Sequence, residues 1–367
     1  MTRPRVLFVS RTRYRLPPEP RVAAKFDALR EELDVRVLAS AAPGSLTNDE
    51  TFALVPPVRP RSLDGLAFWL ALPWRTARML REFRPRAVLC QTAYDGAAAL
   101  LARRIARVPA RVVVEVHGDW RTSTRLYGSP SRRLLGRVGD TVAATAIRRA
   151  DAVRTVSPFT AGLVRELGVE PAADFPAYME LDPFVVPPAP LPERPVALFV
   201  GVLEAYKNVD GLAAAWRLAA PRVPDASLHL VGRGTRTDVA EALVRDGARW
   251  DRELTPAEVA AAMDAAWVLV LPSRSEGMGR VLVEAFCRGR GVVATRVGGI
   301  RDLVADGESG LLVEPGSTPA LADALVRVLS DAELAQRLGK GAATAAGAWL
   351  QTPEQYAERI RALVEGG

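Results

Sequence analysis

The chain has 367 residues, 49% of them hydrophobic, and a formal net charge of +7. That length exceeds one ordinary domain, so two domains with real cores are expected. No run of about 18 apolar residues occurs, which excludes a simple bilayer-spanning helix.

The charge favours anionic partners such as nucleotides, nucleic acid or acidic lipid, unless it only mirrors an arginine-rich composition. Cys90 and Cys287 are the only cysteines, which makes no disulfide framework and no metal-ligand spacing. The first residues enter a strand pattern directly, without the features of a signal peptide, so a cytoplasmic protein is expected. Lysine occurs only at Lys25, Lys207 and Lys340. In such a chain a lysine at an unusual place is a candidate for chemistry of its own.

In chain order, short apolar runs recur as predicted strands: "RVLFVS" (5–10), "VRVLAS" (35–40), "AVLCQT" (87–92), "RVVVEVHG" (111–118) and "AVRTVS" (152–157). The stretch at 64–86 places Phe68, Trp69, Leu70 and Trp74 among Arg75, Arg78, Arg81 and Arg84. It reads as an amphipathic helix packed on the sheet, or as a helix that meets an anionic membrane surface. A proline-dense stretch at 181–195 cannot form a helix interior or a central strand and is expected to be an interdomain linker and hinge. The strands then resume: "VALFVG" (196–201), "LHLVG" (228–232), "WVLVLPS" (267–273), "GVVATRVGG" (291–299) and "GLLVEP" (310–315).

Most of the runs are continuous and do not alternate, which suits strands buried on both faces of a parallel sheet. Helical spacing fills the gaps, so the fold class is α/β, doubly wound. The predicted boundaries are an N-terminal domain over 1–185, joined by a last helix at 350–367, and a C-terminal domain over 186–349. A ligand is expected where the carboxyl ends of the two sheets face each other across a cleft.

One corner carries the chemistry. In "SRSEGMGRVLVEAFCRG" a strand gives way to a glycine-bearing loop and then a helix. Gly277 and Gly279 allow close approach of backbone N–H groups, and a helix start suits a phosphate. Glu276 and Glu284 can each accept hydrogen bonds from paired hydroxyls, as a sugar or ribose presents them. The competing structural reading makes Glu276 a helix-start carboxylate and Glu284 a solvated helix residue.

This corner resembles the E-x7-E signature of the family 4 retaining glycosyltransferases, which have the GT-B architecture of two Rossmann-like domains. "VALFVGVLEAYKNVDGLAAAW", "LHLVGRG", "RGVVATRVGGIRDLVADGESGLLVEPGSTPALADAL", "VVEVHGD", "ADAVRTVSPFTAGLVRELGV" and "MELDPF" extend the resemblance along the chain. It is specific over 196–330 and looser before 110. The resemblance implies that Glu276 binds donor-sugar hydroxyls. It implies that the amides of Gly277, Met278 and Gly279 meet sugar and diphosphate, that Arg280 and Val281 begin the helix beside them, and that Glu284 holds the ribose. Lys207, after the turn at Gly201, would contact the diphosphate. His117 would stand near the reacting centre with Asp119 beside it, and the base would rest near Arg252 and Leu254. The implied reaction takes a UDP-sugar or GDP-sugar donor, retains configuration to give an α-glycoside, and needs no metal. The acceptor would be a sugar, lipid or small molecule. The chain has no Asp-x-Asp, the metal-and-diphosphate motif of the other major glycosyltransferase fold.

Two departures stand out. The family usually has an arginine where this chain has Val202, so Arg280, or Arg13 and Arg15 in the N-terminal loop, would have to replace that cation. The N-terminal loop also lacks the family's paired glycines. His229 reads as a sheet residue. Among rivals, a nucleotide-sugar epimerase shares the architecture. A dinucleotide oxidoreductase lacks its third glycine after Gly232 and Gly234. A basic nucleic-acid binder leaves the glycine corners unexplained, and no nucleic acid is expected.

Overall fold

The computed structural model describes residues 3–59, 61–122 and 130–366. Of the described residues, 3–121, 131–178 and 351–366 form one compact unit, and 122, 130 and 179–350 form the other.

The first unit is built on a seven-stranded sheet. Its strands are β1 (Arg5–Tyr14), β2 (Asp34–Ala41), β3 (Phe52–Val55), β4 (Ala87–Cys90), β5 (Arg111–Val116), β6 (Ala152–Thr155) and β7 (Ala173–Asp174), in the order β3-β2-β1-β4-β5-β6-β7. All its pairings are parallel. Parallel neighbours need crossovers, supplied by α1 (Pro20–Glu32), α2 (Arg61–Phe83), α3 (Ala93–Ala106), α4 (Pro130–Arg149) and α5 (Pro158–Arg165). Burial on both faces explains the unbroken apolar runs: every residue of β4 is buried.

The second unit has a six-stranded parallel sheet. Its strands are β8 (Val196–Val200), β9 (Ser227–Val231), β10 (Arg249–Asp251), β11 (Val268–Leu271), β12 (Gly291–Thr295) and β13 (Gly310–Val313), in the order β10-β9-β8-β11-β12-β13. Around it lie α6 (Val209–Ala219), α7 (Thr237–Arg245), α8 (Pro256–Asp264), α9 (Arg280–Cys287), α10 (Ile300–Leu303), α11 (Thr318–Leu329) and α12 (Ala332–Ala346). The last helix, α13 (Pro353–Glu365), belongs to the first unit. There Tyr356, Ala357, Ile360, Leu363 and Val364 share a core with Phe26 and Leu29 of α1.

Two expectations need revision. The segment taken as an N-terminal loop is largely strand, because β1 runs through a register shift as far as Tyr14. Arg13 therefore sits in β1, and only Arg15 follows it. The proline-dense stretch, expected as an interdomain linker and hinge, falls within the second unit. The carbonyls of Phe184 and Val186 accept from Arg288, and those of Ala189 and Pro190 accept from Arg290. Both arginines are buried. The Trp267 indole donates to the Pro192 carbonyl at 2.7 Å. Prolines leave carbonyls without a ladder to join, and side-chain donors satisfy them instead. The stretch is a strap fastened to the second unit.

In α2, Phe68, Leu72, Ala77 and Leu80 are buried in the first unit's core. Leu66, Leu70 and Trp74, at four-residue spacing on another face, are 59%, 67% and 65% exposed. Among the described residues no helix is long and apolar enough to cross a membrane.

Candidate functional site

β8 and β11 are neighbours at the place where the second sheet's strand order reverses. In open parallel sheets the crevice outside the carboxyl ends at such a point is where ligands bind. The loops that leave these two strands bring Lys207 and Glu276 together. Lys207 ends a short 3-10 turn after Gly201. Its Nζ lies 2.5 Å from Glu276 Oε1, and each side chain is 11% exposed. Ser273 Oγ donates to the same oxygen at 2.7 Å. Oε2 of Glu276 has no partner among the described residues, which leaves it available to a ligand hydroxyl.

The two loops are stitched to each other. The Arg274 amide donates to the Tyr206 carbonyl at 2.7 Å, and Arg274 Nε donates to Asn208 Oδ1 at 3.1 Å. Beneath them Thr295 Oγ1 donates to the Ser273 carbonyl. Glycines supply the remaining support. Gly298 has φ of +50°, and a Cβ there would fall 1.9 Å from the Glu276 carbonyl oxygen. Only a residue without a side chain lets the backbone after β12 pass so close under the 272–279 loop. The Gly299 amide then donates to that carbonyl at 3.2 Å.

Gly279, with φ of +80°, turns the chain into α9. The first-turn amides of α9 have no intrahelical acceptor and present a positive dipole end. Arg280 opens the helix and is exposed, Val281 packs against the core, and Met278 is buried. Glu284 is half-buried one turn on. Burial pushes its carboxyl above the usual range, and the charges of Arg280 and Lys207 partly oppose that. The two acids, Lys207 and Arg280 thus share one sheet edge, and the sequence-level grouping of these residues corresponds to a spatial one.

Arg252 and Leu254 follow β10, Arg252 exposed with its guanidinium 4.6 Å from the Trp250 ring centroid and Leu254 packed on the core. His229 lies within β9, 2.8 Å from Asp251 Oδ2, and burial lowers its pKa. Val202 is 45% exposed. In the first unit, Arg13 pairs with Asp64 of α2 at 3.1 Å and Arg15 is exposed. Asp119 accepts from the backbone and side chain of Arg121. His117 follows β5, half-buried, with Nε2 3.2 Å from Glu115 Oε2.

Sequence reasoning missed Ser273, Thr295 and the supporting role of Gly298. A paired glycine one strand later was the available signal for the last. Nothing in spacing alone points to the other two.

Known proteins resemble this chain. Residues 187–345 match the family model described as glycosyl transferases group 1, and residues 18–173 match a glycosyl transferase 4-like domain. The chain is 30% identical over 276 residues to alpha-D-kanosaminyltransferase of Streptomyces kanamyceticus, covering 68% of this chain and 69% of that one. It is 36% identical over 173 residues to D-inositol 3-phosphate glycosyltransferase of Corynebacterium glutamicum, covering 44% and 41%. It thus spans less than half of that second relative. In fold it is similar to sucrose-phosphate synthase of Thermosynechococcus elongatus, with TM-score 0.80 and 20% identity over the full length of both chains. It is also similar to Anabaena HepE in complex with UDP, with TM-score 0.70 and 19% identity over 99% of this chain and all of that one.

Proposed function

The chain belongs to the group 1 glycosyltransferases of GT-B fold, and on that premise we propose that it moves a sugar from a nucleoside-diphosphate sugar to an acceptor hydroxyl with retention, forming an α-glycoside. The observation that carries this reading is the Lys207–Glu276–Ser273 network under a glycine-built loop, with Glu284 on the adjoining helix.

Glu276 accepts hydroxyls of the donor sugar through its unused oxygen. Glu284 accepts from the ribose. The amides of Gly277 to Gly279 and the start of α9 face the diphosphate. As the sugar–phosphate bond breaks, negative charge gathers on the leaving group. Fixed donors aimed at that charge favour the transition state over the ground state. Lys207 moves from Glu276 to the diphosphate when the donor enters, and Arg280 supplies the second cation in place of the residue at Val202. With these groups in place the reaction needs no metal. The leaving phosphate itself helps take the acceptor proton, so catalysis rests on positioning and electrostatics. From the first unit, His117 serves the transfer step, with Asp119, Arg13 and Arg15 on the acceptor side. Arg252 and Leu254 border the base.

The test is a panel of UDP-sugars and GDP-sugars scored by thermal shift and by nucleoside diphosphate release with sugar, polyol and lipid acceptors. A donor that raises Tm and releases its diphosphate only with acceptor is expected. An isomerised nucleotide sugar with no diphosphate released would make the chain an epimerase.

A second reading concerns location. The exposed stripe of Leu66, Leu70 and Trp74, flanked by exposed Arg75 and Arg78, suits peripheral binding to an anionic membrane. Flotation with acidic liposomes at low salt checks it, and no recovery with the vesicles removes it.

A further inference from the structure

The first unit holds a buried charge cluster that the transfer scheme above does not use. Glu115 and Arg154 are direct register partners across β5 and β6. They interrupt the apolar runs of these two strands. Arg154 is fully buried, and its Nη1 donates to Glu115 Oε1 at 2.5 Å. Its Nη2 donates to the carbonyls of Phe175 and Pro176 at 3.0 and 2.8 Å. Its guanidinium carbon lies 4.0 Å from the Phe175 ring centroid. The Gln351 amide donates to the same Pro176 carbonyl at 3.1 Å. The guanidinium is therefore held on several sides, and it holds one oxygen of Glu115.

The other oxygen, Oε2, faces His117 Nε2 at 3.2 Å. Residues 115 and 117 have the same parity along the chain, so both side chains project to one face. Burial alone would push the Glu115 carboxyl up, but the charge of Arg154 and the bond from His117 hold it well below the usual carboxylate range. Lys25 adds to this, while Tyr14 and Tyr356 feel the resulting negative charge. A carboxylate can only accept. The proton of that bond therefore sits on His117 Nε2, and Nδ1 is the nitrogen left over. Nδ1 has no partner among the described residues.

We propose that Glu115, locked by Arg154, is the positioning residue of His117: it fixes the imidazole as the Nε2–H tautomer and turns Nδ1 toward the substrate. This rests on the reading that gives His117 a part in transfer. A free imidazole would divide its population among rotamers and two tautomers, and a misplacement of about 1 Å can cost roughly a hundredfold in rate.

The experiment uses the whole chain labelled with ¹⁵N-histidine. With only His117 and His229 present, the His117→Ala spectrum assigns the rings by difference. The wild type is expected to show His117 protonated at Nε2. Glu115→Gln keeps an oxygen for Arg154 but offers an amide donor to the ring, so His117 is expected to switch to the Nδ1–H tautomer. Because Glu115→Gln leaves a buried guanidinium without its anion, a second variant, Glu115→Leu with Arg154→Met, removes both charges together. Such paired replacement is often tolerated. It is expected to fold and to show both tautomers.

In both variants kcat should fall roughly 10- to 100-fold with donor KM changed less than about threefold. An unchanged tautomer in Glu115→Gln overturns the proposal. So does a kcat within twofold of wild type in both variants while His117→Ala loses most of its rate. If His117→Ala keeps full rate, the role of His117 in transfer falls instead, and the tautomer measurement still decides whether Glu115 anchors the ring.

Discussion

The two units hold the side chains proposed to meet the ligand by different means. In the second unit the backbone does it. Gly298 lets one loop pass under another, and Lys207, Ser273 and Glu276 are pinned within two loops of a single sheet edge. In the first unit side chains do it. His117 leans on Glu115, which leans on Arg154, whose partners come from the segment after β7. The backbone-held site gathers loops from Lys207 to Gly298 at one sheet edge and carries its close approach at a glycine. A side-chain-built site is assembled from positions far apart and carries buried charge that must be matched.

Four substitutions would break or sharpen this contrast. The largest effect is expected from Lys207→Ala. It removes the cation beside Glu276 in a chain that has Val202 where a second cation is expected, and should lower kcat/KM for the donor roughly a thousandfold. Steady-state kinetics check it, and a loss under tenfold would mean that the second unit does not depend on this pair. Gly298→Ala comes next. A Cβ at that place collides with the Glu276 carbonyl, so the loop must shift. A drop of about a hundredfold in activity is expected with the fold kept, as judged by circular dichroism.

The third test belongs to the first unit. Asp95, in the first turn of α3, is fully buried, and its Oδ1 has no partner among the described residues. Burial raises its pKa from 3.8 to about 7, against a hydrogen bond from Thr92 that lowers it. The folded state therefore keeps a proton that the unfolded chain releases. The stability tied to this group is whole below about pH 4 and is lost as pH rises through 7. Asp95→Asn lacks the titration, so its Tm advantage over wild type should grow by several degrees between pH 4 and pH 8, with activity little changed. A constant Tm difference across that range would show that the carboxyl is not desolvated. The smallest effect is expected from Arg252→Ala. Its side chain is exposed, and donor KM should rise about two- to fivefold, measured by donor titration.

The same contrast explains what could be read from the sequence. Glu276, Gly277, Gly279, Arg280 and Glu284 lie within one short corner, because loop and helix start make one edge. Lys207 stood out as one of three lysines. The central strands were legible as apolar runs. The edge strands Ala173–Asp174 and Arg249–Asp251 were not, since they are very short and bury little, and neither was Phe52–Val55, a four-residue strand that is mostly buried. The Glu115–Arg154 pair left a faint mark, one acid and one base in two buried strands, but nothing in the sequence states that β5 and β6 are neighbours in that register. The stretch at 181–195 was legible as proline and read as a linker and hinge, while its attachment to Arg288 and Arg290, a hundred residues onward, left no mark in the sequence.

That strap has a practical consequence for anyone recombining such chains. A chimera joined within the prolines would part Phe184 to Pro190 from the guanidiniums that hold them and expose both cut ends to misfolding. The natural seams are at 178/179 and 350/351. The terminal helix must then travel with the opening half of the gene rather than with the half it follows.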